Sequence, residues 1–100
     1  MPLEDREKHW HVYIVRCHDG SLYAGIAKNL EERLAAHNSG KRGAKYTRSR
    51  RPVRLVYCEW AESRSAAAKR EYQLKKMPLE KKRELIIAGA AAEWSADKLK

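Results

Sequence analysis

The chain has 100 residues, 43% of them hydrophobic and 35% charged, so it fits one domain with a single core and neither a multi-domain nor a disordered chain. Lysine and arginine number 22 against 13 aspartates and glutamates, a net charge of +9, which makes nucleic acid the expected partner. The longest nearly apolar run, residues 86–92, is too short to cross a membrane, so we expect no membrane partner.

The two cysteines, Cys17 and Cys58, stand far apart and lack the closely spaced Cys and His residues that zinc sites use. Residues 1–8 are rich in charge and lack the apolar core of a secretory signal. We therefore expect a cytoplasmic protein with reduced thiols. The expected division of the chain is a flexible N-terminus at residues 1–8, a domain at 9–92 and a C-terminal tail at 93–100.

A β-hairpin is predicted at the start of the domain. Residues 10–16 are a β-branched and aromatic run that ends at the turn His18-Asp19-Gly20, and residues 21–26 continue directly from that turn. A turn this short requires antiparallel pairing. After Pro52, residues 53–60 form a further run that suits a third strand packed beside the hairpin.

Helices are predicted between and after these strands. Asn29 is a suitable N-cap for a helix that ends near residue 38, and Ser63 is a suitable N-cap for a helix over residues 64–77. Pro78 ends that helix, and residues 79–92 form a third one. The order β-β-α-β-α-α predicts an α+β fold, in which helices flank a three-stranded antiparallel sheet.

Two tyrosines and a basic pair are the first candidate site residues. Tyr13 and Tyr23 lie on the two strands of the hairpin, where their phenols can share one face, although both can equally be ordinary strand aromatics. Arg33 and His37 are four residues apart and therefore project from one face of the first helix. This pair suits phosphodiester hydrolysis, and the alternative is a solvated polar helix face.

Glu71 is the most informative acid, because Ala67, Ala68 and Leu74 place it near the apolar stripe of its helix. A carboxylate in that position can ligate Mg²⁺ or Mn²⁺, which prefer oxygen ligands and often take one or two carboxylates plus substrate phosphate. The alternative is an ion pair with Lys75 one turn along the helix.

The segment between Ala35 and Cys58 contains no acid and is interpreted as a nucleic-acid contact. Its part before Pro52 is basic and lacks a clear period, and we expect a mobile loop there. Tyr46 and Thr47 can add a stacking ring and a phosphate hydrogen bond. The cations of the segment are Lys41, Arg42, Lys45, Arg48, Arg50, Arg51 and Arg54.

Taken together, these residues resemble the GIY-YIG nuclease family, in particular its small stand-alone YhbQ-like branch. His11-Val12-Tyr13 stands where the family has Gly-Ile-Tyr, and Tyr23-Ala24-Gly25 stands where it has Tyr-Ile-Gly. Residues 29–40 resemble the family's arginine helix, and residues 64–75 resemble the helix that carries its metal-binding glutamate. Each piece is common alone, but the ordered set spans most of the chain and is specific.

The resemblance implies hydrolysis of nucleic acid with one divalent ion, Mg²⁺ or Mn²⁺, held by Glu71. It implies that Arg33 stabilises the pentavalent phosphate and that Tyr13 activates water with help from Tyr23 or His37. The chain departs from the family pattern at His11 and Ala24, which remove no reacting group. It also lacks the asparagine that many members place beyond the glutamate.

The expected function is therefore a metal-dependent DNA endonuclease with structure rather than sequence preference, acting in repair or recombination. DNA is favoured over RNA as the substrate. Two alternatives remain open at this stage: a nucleic-acid-binding module without turnover, and an adaptor that docks on a larger repair protein. The adaptor would use Ile86, Ile87 and Trp94.

Overall fold

A computed structural model of the protein describes residues 9–39 and 44–89, and these form three strands and four helices. The strands are β1 (Trp10–Arg16), β2 (Leu22–Ala27) and β3 (Arg54–Ala61). The helices are α1 (Leu30–Asn38), α2 (Lys45–Arg48), α3 (Arg64–Lys76) and α4 (Leu79–Gly89). The predicted α+β fold with a three-stranded antiparallel sheet is confirmed, with α2 as an additional short helix.

Several predictions fall on residues outside these ranges. They are the flexible terminus at residues 1–8, the continuation of the last helix to residue 92, the tail at 93–100, and the placement of Lys41, Arg42 and Trp94. Within the described ranges, no helix is both long and apolar enough to span a membrane.

The sheet order is β2-β1-β3, with β1 antiparallel to both neighbours. β1 is the central strand and is buried on both faces. Four of its consecutive residues, Val12 to Val15, are each no more than 1% exposed, as expected because a strand in this position needs a continuous apolar run. In the hairpin turn, Gly20 has a left-handed φ of 86°, and Asp19 Oδ1 accepts hydrogen bonds from the backbone N–H and hydroxyl of Ser21.

The helices cover the two faces of the sheet, and local caps fix where two of them begin. Asn29 Oδ1 accepts from the Glu32 N–H at 3.0 Å, and Ser63 Oγ accepts from the Ala66 N–H at 3.1 Å, as the sequence predicted. One face carries α3 and α4, and its buried core residues are Val12, Ile14, Ala24, Tyr57, Ala67 and Leu74. The other face carries α1, and its buried core residues are Tyr13, Val15, Cys17, Ala27, Val53 and Cys58.

The prediction of a mobile loop before Pro52 is wrong for the described residues 44–51. Thr47 is fully buried, and the Arg51 guanidinium donates from Nε to the carbonyl oxygen of His37 at 2.6 Å. Nearby, Asn38 exchanges two hydrogen bonds with the backbone of Val53, at 2.7 and 3.0 Å. These contacts hold the segment against the C-terminal end of α1.

The last helix contributes to the core through one side. Leu85 and Ile86 pack against the cluster on the α3 face, whereas Ile87 is 69% exposed. Of the three residues proposed for an adaptor surface, Ile86 is therefore engaged in the fold and Ile87 is available at the surface.

Candidate active site

Tyr13 lies at the centre of the face that α1 covers, and its side chain is only 1% exposed. The register pairs Tyr13 with Gly25 across the hairpin. A Cβ atom on Gly25 would lie 2.5 Å from the Tyr13 hydroxyl oxygen, so the phenol passes directly over the glycine. The glycine of Tyr23-Ala24-Gly25 is therefore required by the close approach of the Tyr13 side chain.

A buried chain of hydrogen bonds begins at that phenol. The Tyr13 hydroxyl lies 2.7 Å from Nε2 of His37, and Nδ1 of His37 lies 2.9 Å from the Thr47 hydroxyl oxygen. The Thr47 hydroxyl in turn donates to the Ala44 carbonyl oxygen at 2.9 Å. His37 and Thr47 are both fully buried, so the chain joins β1, α1 and α2 away from solvent.

Tyr23 reaches the same imidazole by ring packing. Its ring centroid lies 5.6 Å from that of His37 in an edge-on arrangement, and 5.7 Å from that of Tyr46 in a stacked one. The Arg50 guanidinium lies 4.0 Å from the centroid of the Tyr46 ring. The two predicted site tyrosines therefore share His37, and Tyr46 forms its stack with Tyr23.

Arg33 and His37 project from one face of α1, as their spacing predicted, and both act on Tyr13. Burial raises the pKa of the Tyr13 phenol above 10, while a hydrogen bond and the charge of Arg33 oppose that rise. Burial also lowers the pKa of His37 from 6.5 to about 4, with further lowering by the charges of Arg33 and Arg51. At neutral pH the pair is therefore an uncharged phenol and an uncharged imidazole.

Arg33 also lines an open groove. The groove lies between the end of β2 and the first turns of α1, and its walls are formed by Ile26, Ala27, Lys28, Asn29, Glu32, Arg33 and Ala36. A guanidinium at the side of an open groove can contact a phosphate that enters from solvent.

Glu71 lies on α3, near enough to the Tyr13 phenol for its charge to act on it. Its negative charge contributes to the raised pKa of Tyr13, and its side chain is 23% exposed. Glu71 Oε2 also lies 3.5 Å from Nζ of Lys75, so the ion pair considered from the sequence is formed. A partly exposed surface pair contributes little, up to about 1 kcal/mol, and leaves the carboxylate free to exchange partners.

A divalent ion at this site would have the Glu71 carboxylate as a protein ligand. Within residues 9–39 and 44–89, no three His, Cys, Asp or Glu side chains come together as a metal cluster. One carboxylate fits Mg²⁺ or Mn²⁺, which keep several waters and take further oxygens from substrate phosphates, and does not fit structural zinc.

The cations predicted to contact nucleic acid differ in the partners that they have within the fold. Lys45 and Arg48 are exposed on α2. Arg50 pairs with Asp19 at 3.0 Å, and Arg51 is tied to backbone carbonyls of α1, so these two cations have structural partners. The expectation that Thr47 bonds a phosphate is wrong, because its buried hydroxyl bonds His37 and Ala44.

Thr47 is thus the site residue that sequence reasoning assigned wrongly. It lies ten residues beyond His37 with a basic segment between them, and neither helical nor strand periodicity links the two positions. The available signal was its type: a β-branched residue with a hydroxyl, inside a charged run, is suited to burial in a turn of helix.

The structure shows the contacts of the residues at which the sequence departs from the family pattern. His11 packs edge-on against Trp60, with centroids 5.5 Å apart, and its buried Nδ1 finds no hydrogen-bond partner in the described part of the chain. Ala24 is buried in the core on the opposite face of the sheet. The asparagines, Asn29 and Asn38, serve as a helix cap and as a brace to Val53.

The chain is similar in sequence and in structure to known proteins. The sequence profile of the GIY-YIG catalytic domain matches residues 9–84. A UPF0213 protein of Desulfotalea psychrophila is 54% identical over 87% of this chain and 78% of its own length, and one from Staphylococcus saprophyticus is 53% identical over 83% and 99%.

Two solved structures are also similar. The solution NMR structure of a UPF0213 protein from Bacillus halodurans has a TM-score of 0.57 at 37% identity, covering 92% of this chain and 97% of that one. The solution NMR structure of a protein from E. faecalis has a TM-score of 0.54 at 42% identity, covering 78% and 83%.

Proposed function

This chain belongs to the GIY-YIG family, and we propose that it is a metal-dependent endonuclease that hydrolyses DNA phosphodiester bonds. The observation that carries the proposal is the buried hydrogen bond between Tyr13 and His37, formed where Arg33 and Glu71 both act on the same phenol. A hydrogen-bonded phenol and imidazole beside a cation and a carboxylate are suited to activating water at a phosphate.

In the proposed reaction, Tyr13 takes a proton from the attacking water while its own proton passes to Nε2 of His37. The water oxygen forms a bond to phosphorus, and the P–O bond on the opposite side breaks. The leaving oxygen takes a proton from solvent. Moving the proton to His37 replaces a buried phenolate by a buried imidazolium, and burial disfavours both charged forms.

Arg33 stabilises the extra negative charge that the phosphate carries in the pentavalent state, because a guanidinium can donate two hydrogen bonds to its oxygens. Glu71 would hold Mg²⁺ or Mn²⁺. The ion would supply charge neutralisation at the phosphate, which is worth several kcal/mol in such sites. Tyr23 packs against the His37 ring and limits its movement.

The substrate is proposed to bind along the surface formed by α2 and the groove beside α1. Exposed Lys45 and Arg48 and the ring of Tyr46, which is 39% exposed, offer phosphate contacts and a stacking surface. Such contacts read backbone and shape instead of base edges, so we propose structure rather than sequence preference and a role in repair or recombination. The free thiols of Cys17 and Cys58 suit the cytoplasm.

The test is cleavage of labelled single-stranded, duplex and branched DNA with Mg²⁺ or Mn²⁺, comparing wild type with Glu71→Gln. We expect metal-dependent product from wild type and a loss of at least about a hundredfold in the variant, because the site loses the charge that holds the ion. Glu84→Gln is the matched control, since Glu84 forms a similar exposed ion pair with Lys81 on α4.

Equal rates for wild type and Glu71→Gln would contradict the role of Glu71. DNA binding without cleavage of any substrate would support a binding module or an adaptor for a larger repair protein instead. The nuclease and the binding module share the salt-sensitive binding that the net charge of +9 predicts, so the cleavage assay is what separates these two. The adaptor would be supported by a pull-down that survives high salt.

A further inference from the structure

We propose that Thr47 is a positioning residue, which holds His37 in the one neutral tautomer that can accept the Tyr13 proton. The inference rests on the proposed function for its catalytic meaning, but the arrangement of protons follows from the hydrogen-bond chain alone. No other residue of α2 is fully buried, and Thr47 reaches the reacting tyrosine only through His37.

The Thr47 hydroxyl fixes the direction in which the hydrogen bonds from Thr47 to His37 and Tyr13 are donated. Thr47 has a single hydroxyl proton, and that proton goes to the Ala44 carbonyl oxygen three residues earlier, at 2.9 Å. Threonine in a helical turn often makes this bond, and its branched Cβ restricts the hydroxyl to few rotamers. With its proton engaged, the Thr47 oxygen meets His37 as an acceptor, so Nδ1 of His37 must carry the hydrogen.

The hydrogen bond between Tyr13 and His37 requires the same tautomer of His37. A neutral imidazole with hydrogen on Nδ1 has a lone pair on Nε2, which accepts the Tyr13 hydroxyl proton at 2.7 Å. The Arg33 guanidinium, which also acts on the Tyr13 phenol, can only donate and offers no acceptor for the phenol proton. In the opposite tautomer, Nε2 would donate to the Tyr13 oxygen and the phenol proton would lose its acceptor at His37.

The tautomer decides whether the proposed reaction can begin. With hydrogen on Nδ1, breaking the water O–H bond and passing the phenol proton to Nε2 leaves an imidazolium that donates at both nitrogens. Thr47 stays hydrogen-bonded throughout, because its hydroxyl accepts from His37 and donates to the Ala44 carbonyl oxygen. With hydrogen on Nε2, Tyr13 has no base to receive its proton, so Thr47 affects the rate without contacting the substrate.

The experiment compares wild type, Thr47→Val and Thr47→Ser, using ¹H–¹⁵N spectra of the His37 imidazole and single-turnover DNA cleavage with Mg²⁺. Valine keeps the buried shape and removes the hydroxyl, whereas serine keeps the hydroxyl. We expect wild-type His37 to carry hydrogen on Nδ1. We expect Thr47→Val to populate the Nε2–H form and to lose about tenfold in the single-turnover rate constant, with the half-saturating enzyme concentration unchanged, and Thr47→Ser to recover most of that loss.

The spectrum of the wild-type protein tests the proposal even if a variant fails to fold. A wild-type Nε2–H tautomer would overturn the proposal. So would a folded Thr47→Val protein with an unchanged tautomer, or one with a changed tautomer that cuts at the wild-type rate. If wild type cuts no DNA, the proposed nuclease function fails, and the imidazole spectra still decide whether Thr47 sets the tautomer.

Discussion

At the scale of single residues, the site depends on one close approach and one helical spacing. The α-helical period indicated from the sequence that Arg33 and His37 share a face, and the structure confirms that placement. The hydrogen bond between Tyr13 and His37 spans 24 residues, and it arises from the packing of α1 on the sheet. The family resemblance implied that Tyr13 acts with Tyr23 or His37. Sequence patterns describe local geometry, so they could not decide between these two partners.

Gly25→Ala tests the close approach. The added Cβ would lie 2.5 Å from the Tyr13 hydroxyl oxygen and 2.7 Å from Cζ, so the phenol must move away from His37. We expect destabilisation of about 1–3 kcal/mol, typical of overpacking, measured by urea denaturation. Tyr13→Phe should relieve part of the clash, so the two substitutions should be less than additive. Strict additivity in the double variant would contradict the contact.

At the scale of elements, the local signals were sufficient for the strands and for the two capped helices. Alternating and β-branched runs identified β1, β2 and β3 to within about a residue, and Asn29 and Ser63 marked where helices begin. The segment around α2 was misjudged because its order comes from distant partners. Thr47 bonds His37, and Arg50 bonds Asp19, 31 residues away.

The same contacts predict an acid-sensitive link between β1, α1 and α2. Because the pKa of His37 falls from 6.5 to about 4 on folding, the unfolded chain binds a proton more readily between these values. Stability is therefore complete above about pH 6.5 and decreases as the pH falls towards 4, by roughly 3 kcal/mol at most.

Urea denaturation of wild type and His37→Gln at pH 7 and pH 4.5 measures this effect. The variant should lose less stability on acidification, because glutamine does not titrate. Asp19, whose pKa is lowered mainly by hydrogen bonds from Ser21, titrates in both proteins and cancels in the comparison. Equal losses in the two proteins would show that His37 does not provide the acid sensitivity.

At the scale of the whole molecule, the two covered faces of the sheet hold different sets of residues. The face under α3 and α4 holds an apolar core and a second tyrosine, Tyr57, whose hydroxyl donates to Glu59 at 2.6 Å. The face under α1 holds Tyr13 and its hydrogen-bond partner His37, while Glu71 acts on Tyr13 from α3. Composition predicted a cationic, single-domain protein, and the resemblance predicted which residues to compare, while the sharing of His37 by both tyrosines required the fold.

The most direct measurement for the central claim is single-turnover cleavage of DNA by wild type, Tyr13→Phe and Tyr57→Phe, each with Mg²⁺ and each checked for folding. Both variants lose one buried or half-buried hydroxyl hydrogen bond, but only Tyr13 bonds His37. We expect a loss of at least about a hundredfold in Tyr13→Phe, the usual scale for removing a general base, and a rate near wild type in Tyr57→Phe. Cleavage by Tyr13→Phe at the wild-type rate would contradict the central claim.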